Sequence, residues 1–112
     1  LTSPHLVKFN ERIRINNKNI DDSEMLNCLE EVNKLKDSKE LNFYQIIAAA
    51  AFLFFSKKKL DVWILEVGLG GRLDPANYFD ADISVITKIA LDTSMPNGMW
   101  HRKYRKRKSW YF

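Results

Sequence analysis

The chain has 112 residues, 46% hydrophobic and 29% charged, which is enough apolar material for one soluble domain with a core and too little length for two. Its net charge of +4 is unevenly spread: residues 93–112 hold six of the eighteen Lys and Arg and no acid, leaving 12 basic against 14 acidic groups in residues 1–92. A nucleic-acid or membrane-surface role therefore rests on that tail alone, a single Cys28 excludes an internal disulfide framework and suits a reducing cytoplasm, and the apolar run IIAAAAFLFF is too short to span a bilayer. In chain order, ERIRINNKNI alternates as a short hairpin, with Ile13, Ile15 and Ile20 around an Asn16-Asn17 turn. Asp22 or Ser23 is expected to cap a helix in which Met25, Leu26, Leu29, Val32 and Leu35 recur at helical spacing as far as about Asp37. A second helix is expected from roughly Asn42 to Lys57, its Ala48 to Ala51 stretch allowing close packing on a neighbour. DVWILEVG then reads as a strand buried on both faces, GLGGRLDPANYFD as a glycine-bearing loop, and ADISVITKIALD as a second buried strand. Helices set between wholly apolar strands imply an α/β fold with a mainly parallel sheet flanked by helices.

In open α/β sheets ligands bind beyond the carboxyl ends of the strands. Glu66 is the sharpest candidate, since it ends an apolar strand directly before Gly68, Gly70 and Gly71, where an unpaired buried carboxylate is costly. A magnesium ion or a nearby Arg answers that cost; a cap on backbone amides or a pair with Arg72 answers it equally well. The glycines lack the GxGxxG spacing of a dinucleotide site, and Pro75 follows them instead of a long helix, so they read as a tight loop with close backbone approach. No GxxxxGK followed by Ser or Thr occurs. His5, beside Pro4, reads as a hydrogen-bonding loop residue, and Cys28 as core.

LTSPHLVKFNERIRINNKNI, LNFYQIIAAAAFLFF and DVWILEVGLGGRLDPANYFDADISVITKIALD follow one another over residues 1–92. On these segments, and on EVGLGGRLD, TSPHL and ERI in particular, the chain resembles the bifunctional dihydrofolate synthase / folylpolyglutamate synthase family of the Mur ligase superfamily. The resemblance implies a partial Mur-ligase-type central domain over residues 1–92. It implies a cytoplasmic, monomeric amide ligase that uses ATP and Mg²⁺ to activate the carboxylate of dihydropteroate or a folate as an acyl phosphate, which L-glutamate attacks. By the same resemblance Ser3 and Glu66 are magnesium ligands. Asn42, Phe43, Tyr44 and Gln45, ahead of the second helix, and Arg72 and Leu73, in GGRLD, contact the pterin-bearing substrate. Gln45 stands where the family usually has Glu, and Pro75-Ala76 where it commonly has Ala-Thr. The family's P-loop lies upstream of TSPHL, its glutamate-binding domain lies downstream, and the His that supplies its third magnesium ligand after IALD is Thr93 here. The chain is therefore expected to be a fragment, inactive by itself, with no catalytic group of its own.

The resemblance ends abruptly at Asp92, where the charge jumps. Permitted codons for WHRKYRKRKSWYF, read one base later, give GIESIGKEKAGI, close to the family's own continuation, and the same shift permits His after Asp92. Residues 93–112 are accordingly expected to be out-of-frame translation and disordered. The rival reading is a non-enzymatic nucleic-acid-binding module, in which the basic, aromatic stretch 101–112 holds phosphates and stacks bases.

Overall fold

A computed structural model describes residues 1–35 and 40–87. Residues 88–112, which carry the end of the second expected strand, Thr93 and the basic tail, lie outside the described residues. A short 3₁₀ turn, Phe9–Arg12, leads into a hairpin of β1 (Arg14–Ile15) and β2 (Lys18–Asn19), paired antiparallel with Arg14 opposite Asn19 and Ile15 opposite Lys18. Asn16 and Asn17 both adopt positive φ, 50° and 64°, as the two-residue turn requires and as Asn tolerates better than most residues. Ile13 and Ile20 pin the hairpin's inner ends into the core.

Helix α1 (Asp22–Leu35) starts one residue earlier than expected at its cap. Asp21 accepts the Glu24 N–H at 2.8 Å and the Ser23 hydroxyl at 2.7 Å, so it occupies the N-cap in place of Asp22 or Ser23. Met25, Cys28 and Val32 form the buried stripe. At about 100° per residue Leu26 falls well to the side of that stripe and is 56% exposed, whereas Leu35, seven residues after Cys28 and so close to its bearing, is the last residue of the helix and is 70% exposed. Helix α2 (Phe43–Ser56) is apolar almost throughout because several elements cover it. Its Ala48, Ala50 and Ala51 are fully buried, α1 packs on it, and Trp63 and Phe79 reach it through Phe55 and Phe52 at ring-centroid distances of 5.6 and 5.0 Å. Exposed ion pairs from Lys57 to Glu31 and from Lys58 to Glu24 join the end of α2 to α1.

The mainly parallel sheet is not formed among the described residues, whose only paired strands are the hairpin. Residues 61–67 are extended but half-covered: Trp63 and Leu65 pack on the core, whereas Val62 and Ile64, on the alternate positions, are 73% and 78% exposed. Residues 83–86 are exposed as well, with Ile83 at 83%. Burial on both faces needs a strand along each edge and a layer over each face. Along residues 64–66 the described residues supply only Leu1, whose N–H group donates to the Ile64 carbonyl at 2.8 Å and whose carbonyl accepts the Glu66 N–H at 3.1 Å. That is the hydrogen-bond pattern of one parallel bridge, Leu1 to Leu65. No helix among the described residues is long and apolar enough to cross a membrane.

Candidate functional site

The bridge at Leu1 brings the next two residues against the end of the extended segment. One carboxylate oxygen of Glu66, Oε2, accepts the Ser3 N–H at 2.9 Å and also the Thr2 hydroxyl. Ser3 and Glu66, 63 residues apart in sequence, are thus neighbours. Glu66 is exposed, which corrects its placement as a buried strand-end carboxylate: it lies on the same alternate face as Ile64, and the donors found on it are neutral. The segment after Ser3 is held by Glu11, whose carboxylate accepts the N–H groups of Leu6, Val7 and Lys8 at 2.8, 3.1 and 2.7 Å. These bonds, that from Lys8 foremost, hold the Glu11 carboxyl below the usual carboxylate range.

The start of α2 forms a second wall. Asn42 accepts the Gln45 N–H and the Gln45 side chain accepts the Asn42 N–H, both at 2.9 Å, a reciprocal capping box. Gln serves this box as well as Glu, so the local geometry is kept despite the departure at position 45. Tyr44 donates its hydroxyl to the Glu66 carbonyl at 2.8 Å, and its ring covers Gly68 so closely that a Cβ there would meet ring carbons at 2.7–3.0 Å. Burial, with the charges of Asp74 and Glu66 adding to it, pushes the Tyr44 phenol up. Phe43 is 60% exposed beside it.

The glycine loop closes on Asp74. This carboxylate is 8% exposed and accepts the N–H groups of Gly68 and Leu69 at 2.9 and 3.1 Å through one oxygen and of Ala76 at 2.9 Å through the other. Asp74 thereby caps the 3₁₀ turn Pro75–Tyr78, with Pro in the first turn, while Gly70 takes φ 80°. Arg72 and Leu73 stand exposed on this loop. His5 hydrogen-bonds as expected: its Nδ1 accepts from Arg12 Nε at 2.9 Å. Cys28 is core, and burial pushes its thiol up.

The structure therefore gathers Ser3, Tyr44 and Glu66, and leaves the Asn42 and Gln45 side chains engaged in the helix cap. Sequence reading does not single out Thr2, Arg12 or Asp74. For Asp74 the signal is present in Asp-Pro, a cap followed by a first-turn proline; for Thr2 there is none, because its partner is 64 residues away. A serine hydroxyl and a carboxylate are hard oxygen groups of the class that Mg²⁺ takes, and the contact between Ser3 and Glu66 is the Ser3 N–H on the carboxylate. Among the described residues no three His, Cys, Asp or Glu side chains converge as a metal cluster.

No family model matches the chain, and no solved structure does. Curated proteins do. The chain is 43% identical over 91 residues to the dihydrofolate synthase/folylpolyglutamate synthase of Buchnera aphidicola subsp. Acyrthosiphon pisum (strain APS), a match covering 81% of this chain and 22% of that protein. It is 41% identical over 91 residues to the protein of that name from Escherichia coli (strain K12), again 81% and 22%, and 36% identical over 98 residues to that of Bacillus subtilis (strain 168), covering 81% and 23%. The chain spans about a fifth of the length of these relatives. The homology fits an α/β fold. Over the matched residues, the chain is a homologue of part of the proteins named dihydrofolate synthase/folylpolyglutamate synthase.

Proposed function

We propose that residues 1–92 are part of the central domain of an ATP-dependent ligase that joins L-glutamate to dihydropteroate or a folate through an acyl phosphate. The relatives' names support a folate glutamate ligase, and the observation that carries the reading is the meeting of Ser3 and Glu66 across 63 residues. In this reading Ser3 and Glu66 hold Mg²⁺, which when bound offsets negative charge on phosphate oxygens. Thr2 orients the Glu66 carboxylate, Tyr44 fixes the Glu66 backbone, and Asp74 closes the loop that presents Arg72 and Leu73 to the substrate. Phe43, exposed at the mouth of α2, offers its ring face to the flat substrate. Asn42 and Gln45 act by holding that end of the helix in place.

The test exchanges the matching segment of the Escherichia coli relative for residues 1–92 of this chain and measures ATP-dependent glutamate addition to dihydropteroate and to a folate. The chimera is expected to be active. Glu66→Gln within it should lower kcat at least ~100-fold, the order seen when a group stabilising transition-state charge is lost. A Glu66→Gln chimera as active as its parent would overturn the metal assignment, and a folded, inactive chimera would overturn the ligase reading of this sequence.

A further inference from the structure

Residues 2–8 carry Ser3 to its place beside Glu66, and no side chain in that stretch is buried. Leu6 and Val7, the residues best suited to anchor it by packing, stand 90% and 84% exposed. Hydrogen bonds hold the stretch instead, and they converge on two consecutive residues of the 3₁₀ turn Phe9–Arg12. Before Ser3, the Arg12 carbonyl accepts the Thr2 N–H at 2.9 Å. After Ser3, the Glu11 carboxylate accepts the Leu6 N–H at 2.8 Å through Oε2, and the N–H groups of Val7 and Lys8 at 3.1 and 2.7 Å through Oε1. Ser3 thus sits in a span tied at both ends to the same turn.

The turn is a firm base for that span. The Glu11 N–H donates to the Lys8 carbonyl at 3.0 Å, and Ile13, directly after the turn, is fully buried. Arg12 is held as well: its Nε donates to His5 Nδ1 at 2.9 Å, and its guanidinium carbon lies 5.7 and 5.6 Å from the ring centroids of Phe9 and Phe43. Position therefore passes from the core at Ile13, through the Glu11 carboxylate, to the segment that carries Ser3. A carboxylate suits this task because both its oxygens only accept, and charge strengthens each bond. An amide in its place has one accepting oxygen, and its NH₂ group would face an N–H donor.

We propose that Glu11 is a positioning residue for the centre at Ser3 and Glu66: by holding the amides of residues 6–8 it sets where Ser3 stands against the Glu66 carboxylate, and so how tightly the pair holds a divalent cation. Glu11 acts through the backbone and is not itself a ligand. The inference rests on the reading of Ser3 and Glu66 as the Mg²⁺ site. Because coupling between two sites is reciprocal, a cation bound at Ser3 and Glu66 also tightens the Glu11 bonds.

The experiment uses the whole ¹⁵N-labelled chain, with Mn²⁺ as a paramagnetic probe and Mg²⁺ as its diamagnetic counterpart. Mn²⁺ should broaden the amide signals of Ser3 and Glu66 first in the wild type, and should not do so in Glu66→Gln. Glu11→Ala should weaken that binding at least ~10-fold, as loss of a group that orients a metal ligand does, and Glu11→Gln, which keeps one accepting oxygen, should weaken it less. In the wild type, saturating Mg²⁺ should slow hydrogen exchange at the amides of Leu6, Val7 and Lys8, a readout that decides the matter should both Glu11 variants lose their far-UV circular dichroism. Equal weakening by Gln and Ala would show charge alone at work and overturn the positioning role. Unchanged Mn²⁺ binding in Glu11→Ala, or exchange at residues 6–8 indifferent to Mg²⁺, would overturn it too, while the loss of broadening in Glu66→Gln would leave the metal assignment standing. Broadening centred on residues 6–8 would make Glu11 a ligand and overturn the proposal. No broadening at Ser3 or Glu66 in the wild type would overturn the metal assignment and this inference with it.

Discussion

Replacing Gly68 with Ala separates two opposing effects that the structure sets against each other at one backbone atom. Gly68 is not among the glycines with positive φ, so Ala carries no backbone penalty there, and the loss of unfolded-state freedom should stabilise by about 0.4–1 kcal/mol. The new methyl, however, would lie 2.7, 2.8 and 3.0 Å from three carbons of the Tyr44 ring. Such overpacking typically costs about 1–3 kcal/mol. A displaced Tyr44 also gives up its hydrogen bond to the Glu66 carbonyl, a net loss of about 0.5–1.5 kcal/mol. Gly68→Ala should therefore destabilise by about 1–3 kcal/mol overall. In a Tyr44→Ala background the ring is gone, and the same substitution should change sign, to about 0.4–1 kcal/mol stabilising. Urea unfolding followed by far-UV circular dichroism, on the four proteins of this double-mutant cycle, reads the coupling directly. A neutral effect of Gly68→Ala in the wild-type background, or an equal penalty with and without Tyr44, would refute the reasoning.

Tyr44 gives a pH-dependent expectation. Burial raises its phenol pKa in the folded state, so the unfolded chain loses that proton first; the stability this proton represents is full below the ordinary phenol pKa and is lost as pH rises past it. Wild type should exceed Tyr44→Phe in urea midpoint at neutral pH, and the gap should narrow between about pH 9 and 11; a gap that stays constant would count against it. At the nucleotide level, reading one base later from near codon 92 should continue as ligase-like sequence beyond the codons for Phe112. Early stop codons in that frame would refute the frameshift and return the basic stretch 101–112 to salt-dependent RNA-binding assays.

The helices and the hairpin were legible because their signals are local. Asn42 and Gln45 sit three residues apart, Asn16-Asn17 fits only a few turns, and Met25, Cys28 and Val32 share one helical stripe. The sheet was less so, since apolarity at Val62, Ile64, Ile83 and Val85 reports a preference for burial without naming what does the burying. Glu66 was singled out for the wrong physical reason: it is exposed, and its neighbours are donors from the chain's first three residues. Asp74 and Arg12 escaped notice because one acts on backbone amides and the other through ring faces, and neither leaves a periodic trace.

The contacts of Leu1, Thr2 and Ser3 with Ile64 and Glu66 bear on how the molecule assembles. The hairpin closes over two residues and α1 meets α2 across one short connection, whereas the centre at Glu66 joins positions 63 and 64 apart. Long-range closure carries the larger chain-entropy cost and is compensated by only a few hydrogen bonds here. The Glu66 centre should accordingly be the last part to form and the first to open, with the amide of Glu66 exchanging its hydrogen well before those in the middle of α2. A ligand that bridges Ser3 and Glu66 would then act as a clasp, slowing that exchange in proportion to its occupancy.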